Sequence, residues 1–136
     1  MFTAFQMTSV IVIRDVRAVG MHHHCPSKAL ILGSRYTCIW EPECLFDPGN
    51  AIAIKDQRKT VRAYFSRKEV AIISRLFCAG IVQRERMYCV TEVEPHVELH
   101  DLGPQQECTI QFKVATGDVD LLKYIVSQLN YTCNAQ

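Results

Sequence analysis

From Ala51 to Gly80 the sequence leaves the backbone little choice. Ala51 to Lys55 is a short apolar run, Asp56 to Lys59 a polar turn, and Thr60 to Phe65 a β-rich return, which together predict an antiparallel hairpin. Ser66 follows at once and stands three residues before Glu69. That spacing predicts a capping box, in which the hydroxyl accepts the Glu69 amide and the carboxylate reaches back to the helix start. Val70, Ile73 and Phe77, widened by Ile72 and Leu76, then repeat at helical spacing, and Gly80 supplies a residue able to end the helix.

The flanks add short strands rather than alternating helices. Phe5 to Val19 is rich in β-branched residues and reads as one bent strand or two short ones, broken near Arg14-Asp15. Gly20 to Lys28 reads as a polar loop, Arg35 to Trp40 as a strand, and Pro42 to Asn50 as a loop. Ile81 to Val90, Val93 to Leu99 and Cys108 to Val114 read as further strands. Asp118 to Asn130 places Val119, Leu122, Val126 and Leu129 on one helical face. Many short strands with two isolated helices predict a mainly β (α+β) chain, a small OB-like barrel of about six strands plugged by helices. There is no repeat or low-complexity linker, so residues 1–136 are expected to form one domain.

Composition narrows the function. A formal net charge of +1 lacks the basic excess of a general polyanion binder, so any nucleic-acid contact must come from a local patch. The seven cysteines, Cys25, Cys38, Cys44, Cys78, Cys89, Cys108 and Cys133, are odd in number and include no CxxC pair, and a chain of this size needs no disulfide framework. Reduced thiols in the nucleus or cytoplasm are expected, with a tendency to oxidise in vitro. The opening MFTAFQMTSVIVIRD lacks the basic leader and small-residue cleavage site of a signal peptide, and Val10 to Ile13 is too short to span a bilayer, so no membrane role is expected. No P-loop, GxGxxG or HExxH occurs.

His22-His23-His24-Cys25 invites a metal reading. Adjacent residues of a strand point to opposite faces and rarely share one ion, so an exposed histidine loop is the expectation, with no metal and no cofactor. A nucleophilic Cys-His pair is possible in principle, but no nucleophile motif is present. Glu92, Glu94, Glu98, His96 and His100 read as the solvated face of a strand.

One constellation carries more. Glu41 and Pro42 precede Phe46-Asp47, and the loop closes on Asn50, Ala51 and Ile52. Upstream lies Ala18-Val19-Gly20 followed by Met21 and the histidine run; downstream lie Ala63, Tyr64, Phe65 and Arg67-Lys68-Glu69. From Ser9 to Tyr131 the order of elements and these motifs resemble the HIRAN domain, a small β-barrel module of fork-remodelling helicase-like ATPases that grips the 3′ end of single-stranded DNA. The family core runs Glu-Pro-x-Asn-x-aromatic-Asp-x-Asn-Ala-Ile. This sequence departs from it by the extra Gly49, by Cys44-Leu45 where Asn is usual, and by Ala63 in place of a glycine.

The resemblance implies an end-recognition pocket. Phe46 would stack on the terminal base and Asp47 would accept a hydrogen bond from the 3′-hydroxyl. His22 and His23 would stand for a basic-aromatic pair, and Tyr64 and Lys68 would form a third wall. The chemistry is coherent, since base faces stack on any aromatic ring and a carboxylate beside phosphates makes sense where a free hydroxyl donates to it. Histidine in place of arginine removes a permanent charge, so binding is expected to be weaker and more pH-dependent than in other members.

Blander readings stand beside these roles. Phe46 and Tyr64 also suit barrel packing, Asp47 and Asn50 suit a plain turn, and Lys68 suits a solvated helix face. The resulting expectation is a non-catalytic single-stranded-DNA-binding module of repair or fork processing, alone or serving a larger ATPase or nuclease assembly. The alternative is a protein-interaction module on the same barrel that has lost DNA binding.

Overall fold

The computed structural model describes residues 8–26, 28–41, 51–83, 85–96, 103–115, 120, 123, 124, 127 and 133–135. The elements run β1 (Thr8–Val19), α1 (Met21–His24), β2 (Arg35–Trp40), β3 (Ile52–Lys55), β4 (Val61–Phe65), α2 (Arg67–Cys78), β5 (Met87–Val90), β6 (Gln105–Ala115) and β7 (Cys133–Ala135). All pairings are antiparallel, in the order β4-β3-β2-β5-β6-β1. A further pairing of β1 with β4, Ala18 to Phe65 and Val19 to Tyr64, closes six strands into a barrel. β7 lies against the other half of the same edge of β1, pairing with Ile11 to Ile13.

Strand β1 holds the closure together because it is bent. Its register against β6 shifts between Ile13 and Val16, and Asp15 adopts a left-handed φ of 62°. One extra residue in a strand restores the inward phase that a three-residue step would otherwise reverse. Ile11, Ile13, Val16 and Ala18 therefore all face the core. The expected break at Arg14-Asp15 is this bulge.

The predicted hairpin is present, and Asp56 builds its turn. Its Oδ1 accepts the amides of Arg58 and Thr60 at 2.9 and 3.0 Å, and its Oδ2 accepts Arg62 Nε at 2.9 Å. Those donors hold the Asp56 carboxyl below the ordinary aspartate range, the Thr60 amide contributing most.

Helix α2 also lies where the sequence put it, but it starts differently. Ser66 makes no side-chain cap. The Glu69 carboxylate crosses instead to β1, accepting the Arg17 amide at 2.7 Å and Arg17 Nε at 2.9 Å. At the other end Gly80, at φ 73°, lets the amides of Ile81 and Val82 return to the Leu76 carbonyl. Val70, Ile73, Leu76 and Phe77 enter the barrel core, and the Phe77 ring stacks on Trp40 at the end of β2, centroids 6.2 Å apart.

Three expectations need correction. Gly20 to Lys28 is not all loop, because wholly buried Met21 anchors the short helix α1. The strand expected from Ile81 starts only at Met87, since Ile81 and Val82 are used in closing α2. The strand expected from Val93 contributes one bridge, His96 to Gln105, among the described residues. Of the C-terminal helix, Asp120, Lys123, Tyr124 and Ser127 are helical and exposed, while its predicted apolar positions lie outside the described residues.

The described thiols are mostly interior. Cys38, Cys89 and Cys108, from β2, β5 and β6, sit inside the barrel, and Cys25 is buried beneath α1. Hydrogen bonding with Cys89 and then burial push the Cys108 thiol far up. Cys89 is also raised: its bond with Cys108 works to lower it, but the bond with Cys38 and burial outweigh that. Of the five cysteines whose burial is described only Cys78 is exposed, so among these five the expected tendency to oxidise falls on Cys78; Cys44 and the Cys133 side chain lie outside the described residues.

Candidate nucleic-acid interface

The ends of β1 and β4 and the start of α2 meet at one junction. Val19 pairs with Tyr64, Ser66 donates its amide to the Arg17 carbonyl at 3.0 Å, and Glu69 grips Arg17. Beyond Val19 the chain must turn sharply onto the barrel surface. Gly20, at φ 81°, provides the turn, in a conformation where an L side chain is strained. Helix α1 is thereby laid beside β4.

Along β4, Ala63 and Phe65 point into the core, so Arg62 and Tyr64 face outward. The His24 ring lies against the half-buried Tyr64, centroids 5.8 Å apart. Arg62 donates from Nη1 to the His24 carbonyl at 3.0 Å, and the Cys25 thiol donates to the Arg62 carbonyl at 3.3 Å. Arg62 is itself held by Asp56 at 2.9 Å. The product is an aromatic surface with a clamped guanidinium at its edge.

The two predicted histidines diverge. His23 is exposed, with its ring 3.8 Å from that of His22. His22 is half-buried and packs on Gly103, where an added Cβ would come within 2.6 Å of its ring, and its Nδ1 is buried without a hydrogen-bond partner. Lys68 is exposed in the first turn of α2, four residues beyond Tyr64. His22, His23 and Tyr64 are thus brought to one side of the barrel, with Lys68 on the helix that leaves it.

Phe46 and Asp47 lie outside the described residues. The chain around them leaves β2 at Glu41 and re-enters at Ala51, where the Glu41 amide donates to the Ala51 carbonyl at 2.8 Å. Ala53, two residues on, pairs with Tyr64. The Ala51 end of that segment therefore leads into the strand next to the tyrosine, and the Glu41 end leaves the strand beyond it.

Sequence reasoning passed over His24 and Arg62. Arg62 could have been found from its alternation with Tyr64, but His24 depends on the α1 helix, which the histidine run conceals. Among the described residues no three His, Cys, Asp or Glu side chains converge as metal ligands.

No family model and no curated protein matches the sequence. The fold does have relatives. The HIRAN domain of human HLTF superposes with a TM-score of 0.67 over 88% of this chain and 91% of that one, at 11% identity. The chain has the HIRAN fold. A Lactobacillus plantarum protein superposes with a TM-score of 0.53 over 78% of this chain and 99% of that one, at 16% identity. At such identities the likeness is one of fold, so it locates strands without assigning side-chain roles.

Proposed function

We propose that this chain is a non-catalytic nucleic-acid-binding module that takes single-stranded DNA at a free 3′-hydroxyl end. Acting in repair or at replication forks, it would serve a larger ATPase or nuclease assembly in a reducing compartment of the cell. The HIRAN fold supports the nucleic-acid reading. The observation that carries it furthest is the outward Tyr64 ring, buttressed by His24 and edged by Arg62, with Lys68 exposed four residues on in the first turn of α2. A ring so placed offers a stacking face with little base preference, and the flanking cations meet phosphates.

Fluorescence anisotropy with 3′-hydroxyl, 3′-phosphate and blunt-duplex oligonucleotides tests it. Tight binding to the 3′-hydroxyl strand is expected, with Tyr64→Ala losing about 1–3 kcal/mol of binding, the usual worth of one stacked base. Asp47→Asn is expected to erase the preference for hydroxyl over phosphate. Equal affinity for all three ligands would overturn end recognition.

One observation favours a protein partner instead. Ile31, Leu32 and Val93 are exposed at 65%, 44% and 43%. Their segments are clamped side by side, because Gln106 bonds to the Leu30 and Val93 carbonyls. Absence of any oligonucleotide binding would leave that apolar patch as the leading feature.

A further inference from the structure

Tyr64 sits on β4, and around the six-stranded ring β5 lies diametrically across from it. On that far wall, against β2, β5 and β6, opens a cleft of about 730 Å³. Arg35, Arg86 and Lys113 border it together with Tyr88, Gln83 and Gln111, and no described carboxylate lines it. For a chain of net charge +1, three cations on one concave surface are a strong local concentration.

Tyr88 pairs with Gln111, two residues before Lys113 on β6. Arg86 stands just ahead of β5, in a turn where its amide donates to the Gln83 carbonyl at 3.1 Å. The Arg35 guanidinium lies over the Tyr88 ring, 3.6 Å from its centroid. Stacking fixes the plane of the guanidinium and leaves its N–H edge available to fork phosphate oxygens. Both described ion pairs lie elsewhere, at Arg17 with Glu69 and at Arg62 with Asp56.

Arg35 also borders a second cleft of about 460 Å³, shared with Arg58 and with the Arg62–Asp56 ion pair. Arg62 in turn holds the His24 carbonyl beside Tyr64. Arg35 therefore stands between the Tyr64 surface and the far-wall cleft.

We propose that the Arg35–Arg86–Lys113 cleft is a second nucleic-acid contact, taking the phosphodiester backbone of a single strand on the wall opposite Tyr64. Its ligand class extends the nucleic-acid reading above, but its residues are separate, so the two can fail separately.

The test compares the full chain with Arg86→Ala/Lys113→Ala, using fluorescent oligothymidylate across a salt series, with thermal melts confirming that both fold. Each lost single-strand phosphate contact removes about 0.7 from the slope of log affinity against log salt, so the double variant should lose about 1.4. Its preference for 3′-hydroxyl over 3′-phosphate should not change. Arg35→Lys keeps the charge but loses the planar stack, and should bind roughly fivefold more weakly at an unaltered slope. An unchanged slope in the double variant overturns the proposal, as does a phosphopeptide of equal charge binding as tightly. A reduced slope without any preference at the 3′ end sustains the far cleft and sinks end recognition. No binding by the unaltered chain sinks both.

Discussion

Glu69 fastens α2 to the barrel. Its side chain is only 2% exposed, and its two oxygens take the amide and the Nε of Arg17. Removing the cation strands a carboxylate that water barely reaches, whereas neutralising the acid leaves a partly exposed arginine free to solvate. Arg17→Ala should therefore cost about 3 kcal/mol, a moderate case of breaking a buried pair. Glu69→Gln, which still accepts one bond, should cost about 1–2 kcal/mol. Urea unfolding of the two variants checks the order; equal losses would mean the pair is more solvated than its burial implies. The sequence made Glu69 visible as a helix-start acid. Its partner was not visible, because a capping box is a local pattern and Arg17 lies 52 residues away.

At the scale of elements, legibility followed whether the deciding force is local. Strands β2 to β4 and helix α2 were readable from β-branched runs, turn chemistry and the terminal glycine. Helix α1 was not, since three histidines mask the one buried side chain, Met21, that anchors it. The start of β6 was missed for a related reason. Gln106 is wholly buried yet polar, and it is satisfied by the Leu30 amide and by the Leu30 and Val93 carbonyls. The 56–60 turn makes a pH prediction. Asp56 has a folded pKa depressed below the ordinary 3.8, so its contribution is complete above that value and fades as pH falls through the lower folded one. Asp56→Ala should lose about 1–2 kcal/mol at neutral pH, the scale of charge-assisted turn bonds. The gap from the parent should close as unfolding is repeated toward pH 2; a gap independent of pH would reject the charged-turn account.

For the molecule as a whole, barrel closure was foreseen only as an architecture. The β1–β4 seam joins residues far apart in sequence, and no periodicity encodes which strands meet. Of the candidate site, Tyr64 and the histidine run were legible as a motif. Their juxtaposition required both the seam and the left-handed Gly20. The sealed interior has a measurable signature. Alkylation of the folded chain should modify Cys78 rapidly, while Cys38, Cys89 and Cys108 react only as fast as the barrel opens globally. Mass spectrometry with increasing urea should show those three gaining label together at the unfolding midpoint. Early labelling of Cys89 would indicate a looser interior than the packing shows.

The bent first strand also has a topological cost. One edge of β1 is divided between two donors, β4 near Ala18 and Val19 and the chain's own final strand near Ile11 to Ile13. Without Cys133–Ala135 the chain would keep its enclosed centre yet bare the backbone groups that Ile11 to Ile13 turn toward that margin. Such a margin is a template for annealing to the same stretch of a sister molecule, so β7 shields the barrel from pairing with its own copies.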